Sequence, residues 1–432
     1  MARHPAAIMV SNPGFVRPRV LYFSRIDFPS PKANSIQSFN TCLEMAREGA
    51  EVLFVVRHLG ASRRDCFAYY GEPEHPHLRI VSMNLPLAGG FNDWRGPYFR
   101  LYLAQFLRRH ARGATMLMTR DGPGLELLDM LHGLRPVPEL RTVFEVHKLA
   151  FLTKASHQEE RGRDLSDPEV QEKLARRRAL EERVYNSVDG IVCTSEGARR
   201  MLDENFALHA PACVVPNGTR VPLGEHGEPH VQALLDDSRR DLDVVYVGQL
   251  YRWKGVEGAL RAIALLPGAR LTIVGGNETE DLERLQALAA ELGVTGRVTF
   301  EGHVAPHRVA EFLGRARVGV IPLPARGSIE AEHFTSPLKA FELMRAGVPI
   351  VATDLPSTRE ILRHDEDAWL VPADDPAALA AGLDRLRRDR ALAARLVHEA
   401  ASRVVAYSWK ARARRVLDFA AGLETPAEAS GA

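Results

Sequence analysis

The chain has 432 residues, with 56 basic against 55 acidic side chains, a net charge of +1, and 45% hydrophobic residues. This is the mix of an ordinary soluble globular protein of two or three domains, and it excludes a global basic field for nucleic acid, so any anion site must be local. Cys42, Cys66, Cys193 and Cys213 form no Cys-x-x-Cys pair, no run is long enough to cross a bilayer, and the apolar run 6–10 is too short for a signal core; reduced, buried thiols and a cytoplasmic protein are expected.

Residues 1–18 carry three prolines and little periodicity, and read as a loose leader. Residues 19–24 read as a buried strand, 25–35 as a loop, and 36–49 as a helix stopped by Gly49; 51–56 is the next strand. A strand–loop–helix–strand unit opens a parallel sheet. Loops at that position reach ligands, so Lys32, Asn34 and Ser35 are candidate polar contacts, with a solvated loop as the equal alternative.

The segment 91–112 sets Trp94, Tyr98, Phe99, Tyr102 and Phe106 among five arginines. Its spacing favours a core-facing helix; a membrane-surface or acceptor-binding helix is the alternative, and with it a peripheral membrane contact. Strands are expected at 114–119, 142–146 and 190–194, with a charged helical segment over 157–186 whose arginines 176–178 form a solvated face. Arg120, at the end of the first of these strands, joins Lys32, Asn34 and Ser35 as an acceptor-side candidate. His147 follows an apolar strand, where a neutral imidazole can bond a substrate hydroxyl; a purely structural histidine is the commoner case.

Residues 219–240 have linker composition, with Pro222, Gly224, Gly227 and Pro229. A second alternation follows over 241–407. Strands are expected near 243–247, 270–274, 297–300, 318–322 and 348–352, and helices at 255–266, 279–292, 306–316 and 337–346. An amphipathic helix, 408–423, is surplus to that domain. The plan is α/β: two Rossmann-like domains, 19–218 and 241–407, facing a cleft, with ligands at the carboxyl ends of the strands.

Two segments of the second domain carry chemistry. In Val247-Gly-Gln-Leu-Tyr-Arg-Trp-Lys-Gly255, Gly248 lets backbone approach a ligand, and Lys254 places a cation near a helix start that already favours anions. In Phe334-Thr-Ser-Pro-Leu-Lys-Ala-Phe-Glu-Leu-Met-Arg-Ala-Gly347, Ser336 is a good N-cap, Pro337 a good first helical residue and Gly347 a good stop, after a flexible loop at 326–328. Lys339 and Glu342 share one helix edge. An exposed ion pair is the bland alternative. A carboxylate there can hold two vicinal ribose hydroxyls while the helix end and Lys254 hold phosphates.

At these residues the sequence resembles the family 4 glycosyltransferases, retaining enzymes of the two-Rossmann GT-B architecture, over about 19–423. The most specific stretch is Ser336-Pro-Leu-Lys-Ala-Phe-Glu-Leu-Met-Arg-Ala-Gly-Val-Pro-Ile-Val-Ala-Thr-Asp-Leu-Pro-Ser-Thr-Arg-Glu360; Val215-Pro-Asn-Gly218 and Tyr407-Ser-Trp-Lys410 also match. The resemblance implies that Lys254 binds the donor diphosphate, Glu342 the ribose and His147 the transferred sugar. Backbone groups of Ser336, Pro337, Leu338 and Lys339 would cradle the phosphates beside Gly248, and the last helix would cross back onto the first domain. It implies retaining, metal-independent transfer, with a nucleotide-diphosphate sugar as co-substrate and no further cofactor, to a saccharide, lipid-linked or small-molecule acceptor. The chain departs from the pattern where the family carries a phosphate-binding arginine, here Gln249, with Arg252 the candidate replacement. It departs again where a paired glutamate would stand, here Phe334, with Glu332 nearby but out of register. The glycine-rich loop usual after the first strand is also missing. A sugar-nucleotide epimerase of similar fold, or a catalytically silent sugar-nucleotide-binding partner, are the rival readings; Gly275-Gly276 is no dinucleotide fingerprint, which weakens an oxidoreductase.

Overall fold

The computed structural model describes residues 17–83, 97–111, 113–132, 140–160, 162–220, 242–276, 278–325 and 329–423. Most of the expected leader, residues 221–240 of the linker, the loop 326–328 and the start of the aromatic segment, Trp94 included, lie outside them.

Seven strands build the first sheet: β1 (Arg19–Phe28), β2 (Glu51–Leu59), β3 (Leu78–Ser82), β4 (Met116–Arg120), β5 (Arg141–Val146), β6 (Gly190–Cys193) and β7 (Ala212–Val214). All pair in parallel in the order β3-β2-β1-β4-β5-β6-β7. The helices of this half are α1 (Ala33–Arg47), α2 (Arg63–Tyr69), α3 (Pro97–His110), α4 (Asp121–His132), α5 (Ala150–Glu160), α6 (Pro168–Tyr185) and α7 (Glu196–Asn205). The second sheet has β8 (Leu242–Val247), β9 (Leu271–Val274), β10 (Val298–Gly302), β11 (Ala316–Ile321), β12 (Ile350–Thr353) and β13 (Trp369–Val371). These too are parallel, ordered β10-β9-β8-β11-β12-β13. Its helices are α8 (Val256–Leu265), α9 (Thr279–Glu291), α10 (Val309–Arg315), α11 (Leu338–Arg345), α12 (Pro356–Arg359), α13 (Pro376–Arg388) and α14 (Arg390–Val404), followed by α15 (Trp409–Ala421).

Parallel strands covered on both faces read as unbroken apolar runs, and these do. Leu21 and Phe23 of β1 enter one core layer with Leu53 and Leu117, while Val20 and Tyr22 enter the opposite layer with Val52 and Met116, the alternation a strand dictates. In the second sheet Val244 and Tyr246 face one layer and Val245 the other. Strand order reverses between β1 and β4 and again between β8 and β11, which opens a crevice at the carboxyl edge of each sheet. The charged segment expected as one helix is two, α5 and α6, divided where Asp167 accepts from Glu169 N and caps α6 ahead of Pro168. In α3, Leu103, Phe106 and Leu107 are buried in the core, with Leu101 exposed. Among the described residues no helix is long and apolar enough to cross a membrane.

The surplus helix returns to the first half. Ala413, Val416 and Ala420 of α15 enter the layer formed by Val20, Tyr22 and α1. Where the chain crosses back, Thr219 N donates to Tyr407 O and Trp409 N to Thr219 O. Arg412 carries the joint. Its Nη2 lies 2.5 Å from Glu145 Oε1, its Nε donates to Thr41 Oγ1 at 3.1 Å, and its Nη1 donates to the carbonyls of Val215 and Pro216 at 2.6 and 2.9 Å. Both charged partners are buried. Removing one member of such a pair strands the other, so Arg412→Ala should cost about 3–5 kcal/mol of folding free energy. Urea unfolding measures it, and a loss under about 1 kcal/mol, the scale of an exposed pair, would remove Arg412 from this role.

Candidate functional site

The two expected anion-binding segments come together at the carboxyl edge of the second sheet. β8 ends at Val247, and Gly248 takes φ 150° while its N–H donates to Val274 O. A Cβ on Gly248 would fall 1.9 Å from Lys339 Cε and 2.3 Å from its Nζ. Only glycine therefore lets the Lys339 side chain cross the strand end. The following turn, Arg252–Lys254, closes on Gly255 at φ 69°, where an added Cβ would lie 1.8 Å from Pro322 O. Tyr246 Oη donates to Gln249 O at 2.6 Å, so Gln249 lends its carbonyl to holding the turn.

Helix α11 starts one residue later than its sequence suggests. Pro337 stands at the cap position and no side chain caps the helix. The Ser336 hydroxyl, expected as the cap, instead accepts from Asn217 N at 3.1 Å, and Asn217 Nδ2 donates to Ser336 O at 3.0 Å. The side chain of the best capping residue is spent on tying the helix start to the end of the first half. The start of α11 thus keeps its attraction for anions.

Two cations meet there. Burial holds Lys254 well below the ordinary lysine range, the charge of Lys339 lowers it further, and Glu330 opposes the shift. Burial lowers Lys339 as well, against the pull of Glu342. Glu342 is itself raised by burial, with Lys339 and Arg345 opposing. Glu342 opens onto a cavity of about 240 Å³, with Asn40, Tyr70, Arg220, His307 and Arg345 on its walls. Arg252 opens onto a larger one of about 1190 Å³, with His157, Tyr251, Trp253 and Asp374.

Glu330 had no signal in the sequence pattern. It sits in a single π-turn, Glu330–Phe334, and is buried. Phe334, at the position of the missing paired glutamate, points into the core of the first half. Glu332, the neighbour out of register, is partly exposed beside His333. Glu330 is the carboxylate that acts on Lys254, and it lies 3.1 Å from His157 Nε2 across the interface.

On the first sheet, His147 and Arg120 belong to one buried cluster built on Glu145. His147 Nε2 is 2.9 Å from Glu145 Oε1, Gln37 Nε2 donates to the same oxygen at 2.6 Å, and Tyr22 Oη donates to Oε2 at 3.3 Å. Arg120 donates to Gln37 Oε1. Burial would raise the Glu145 carboxyl, but Arg412, then His147 and Arg120, hold it well below the carboxylate range. Burial and Arg120 lower His147 to about 4, against Glu145. The other acceptor-side candidates separate from this cluster. Ser35 is buried with its hydroxyl 2.8 Å from Tyr70 Oη, Lys32 is exposed ahead of α1, and Asn34 is half-buried in its first turn. Ser35 therefore braces a wall of the smaller cavity. Among the described residues no three His, Cys, Asp or Glu side chains cluster as metal ligands.

Two family descriptions match the chain, one over each half. Residues 236–403 match the family described as glycosyl transferases group 1, and residues 37–221 match glycosyltransferase family 4. D-inositol 3-phosphate glycosyltransferase of Acidothermus cellulolyticus is 31% identical over 61% of this chain and 58% of its own length. The protein of the same description from Corynebacterium jeikeium is 30% identical over 65% of this chain and 66% of its own. The chain thus spans roughly three-fifths to two-thirds of these relatives. Among solved structures, sucrose-phosphate synthase from Thermosynechococcus elongatus superimposes with a TM-score of 0.72 at 21% identity, covering 93% of this chain and 98% of its own. Anabaena HepE, solved with UDP and glucose, does so with a TM-score of 0.67 at 13% identity, covering 94% and 100%. Both likenesses are of fold: two Rossmann-like domains in the GT-B arrangement.

The His147 environment predicts a pH signature. The unfolded chain takes up this proton near pH 6.5 and the folded one near 4. Between those values the unfolded state binds more protons, so stability rises with pH across that window. His147→Gln should remove that part of the slope, and NMR titration of labelled histidine should find the His147 ring neutral at pH 6. A titration at or above 6.5 would contradict the cluster as described.

Proposed function

Because this chain belongs to the family 4 glycosyltransferases, we propose that it transfers a sugar from a nucleotide-diphosphate donor to an acceptor hydroxyl, with retention and without a metal ion. One observation carries the reading: the Lys339 side chain crosses Gly248 beside the uncapped start of α11, and its charge acts on Lys254 at the next turn. Two like charges held together under partial burial are unfavourable in an empty site, and a diphosphate relieves that repulsion.

In this reading the diphosphate lies against Lys254, Lys339 and the amides of 337–339. As the glycosidic bond breaks, negative charge grows on the leaving phosphate, and groups already in place stabilise it without reorganisation. Glu342 holds the ribose hydroxyls. His147, neutral at physiological pH, offers a hydrogen bond to the transferred sugar rather than a charge. In this reading the leaving phosphate takes the acceptor proton. HepE, of the same fold, was solved with UDP, which makes UDP-sugars the first donors to test. Inositol phosphates are the first acceptors to test, because these relatives are D-inositol 3-phosphate glycosyltransferases.

Lys254→Ala should lower kcat on the order of 10²–10³-fold, the loss seen when one transition-state donor is removed; a near-normal rate would take Lys254 out of the mechanism. Glu342→Gln should raise the donor KM by roughly tenfold or more, since a hydrogen bond to a charged group is worth about 1.5–3 kcal/mol. An unchanged KM would contradict ribose binding. The product should keep the donor's anomeric configuration by NMR, and turnover should persist in EDTA. Inversion would sink retention, and EDTA inhibition would sink metal independence.

A further inference from the structure

The Lys254 ammonium lies over the indole ring of Trp253, 3.6 Å from the ring centroid. Tyr251 extends the aromatic surface, its ring inclined 20° to the indole with centroids 6.5 Å apart. The turn that presents them cannot shift freely, because Gly255 closes it against Pro322 O. Trp253 packs on the core layer of Val245 and Val274 and also lines the larger cavity. The indole is thus a fixed plate with the lysine resting on it.

The forces on that amine do not otherwise hold it in place. Lys339 repels it, and Glu330 draws it toward the His157 contact. A lysine has four rotatable bonds, and a lone attraction to one carboxylate would take the charge off the phosphate position. The negative face of an indole is the strongest aromatic partner for a cation, and it fixes the amine without neutralising it. We propose that Trp253 is a positioning residue of the donor site: its ring face holds the Lys254 ammonium where the diphosphate binds, between the repulsion of Lys339 and the attraction of Glu330. This rests on the reading of Lys254 as a diphosphate ligand.

The test keeps the shape of the ring and changes only its charge. Trp253 is replaced site-specifically in the full chain by mono-, di- and tetrafluorotryptophan. Affinity is then measured by calorimetry for whichever of UDP, GDP, ADP and dTDP binds the native chain most tightly. Affinity should fall stepwise with fluorine, by about three- to thirtyfold across the series, with thermal stability unchanged. Trp253→Phe should lie between the native chain and Trp253→Leu. A flat fluorine series overturns the proposal. In a Lys254→Ala background the series should be flat, and a persisting slope there also overturns it, since the ring would then be acting on something else. If Lys254→Ala alone leaves affinity unchanged, or no nucleotide binds the native chain, the diphosphate reading itself fails. If Lys254→Ala weakens binding and the fluorine series is flat, only the role of Trp253 fails.

Discussion

A carboxylate without access to water sits beside the centre of the first sheet, and much of the molecule is arranged to make it tolerable. Burying an ionised Glu145 is affordable only with several donors converging on it. Gln37 comes from α1, Tyr22 from β1, His147 from the end of its own strand, and the compensating charge from Arg412. That last partner is 267 residues away in sequence. The chain must finish the second sheet and come back across the interface before the first sheet is electrostatically complete. The returning helix is therefore part of the first half's core, and the two halves are joined by two chain crossings, near Thr219 and near Ser408.

The same cluster sets the state of His147. It sets His147 at the carboxyl edge of β5 as a neutral ring with Arg120 acting on it, while the carboxyl edge of the second sheet carries Lys254 and Lys339. Asn217 links the two edges by gripping Ser336 at the root of α11. In the proposed function the cation pair meets the anionic end of the donor and the uncharged ring its sugar.

Much of this was legible in the sequence, for identifiable reasons. The central strands announced themselves because parallel strands buried on both faces become apolar runs such as 20–23 and 244–247. The convergence of Lys254 with the start of α11 followed from doubly wound topology, which brings successive strand ends to one edge. The short edge strands β3 and β13 were missed: β3 exposes Arg79, and β13 has only three residues. Helices α13 and α14 were missed although Asp375 and Asp389 are good caps, bonding Ala377 and Ala378 N–H and Leu392 N–H. Ser336 was right for a cap by chemistry but was claimed by Asn217. Glu145 and Glu330 were invisible because their partners are set by tertiary folding. A lone glutamate inside an apolar strand, Phe144-Glu-Val146, was nonetheless a signal that something distant must answer it.

Helix α7 of the first half borrows its terminus from the second. Ser195 accepts from Ala198 N, but the amides of Glu196 and Gly197 are bonded at 2.8 and 2.7 Å by the carboxylate of Glu360, and Gly197 has no room for a side chain because His333 O fills the space. Separating the lobes would strip that helix of its anion, a loss of about 1 kcal/mol or somewhat more. That clasp adds to the other ties across the interface, Asn217 on Ser336, Glu330 with His157 and Phe334 in the first-half core. Such a clasp makes the start of a helix in one lobe depend on where the other lobe stands.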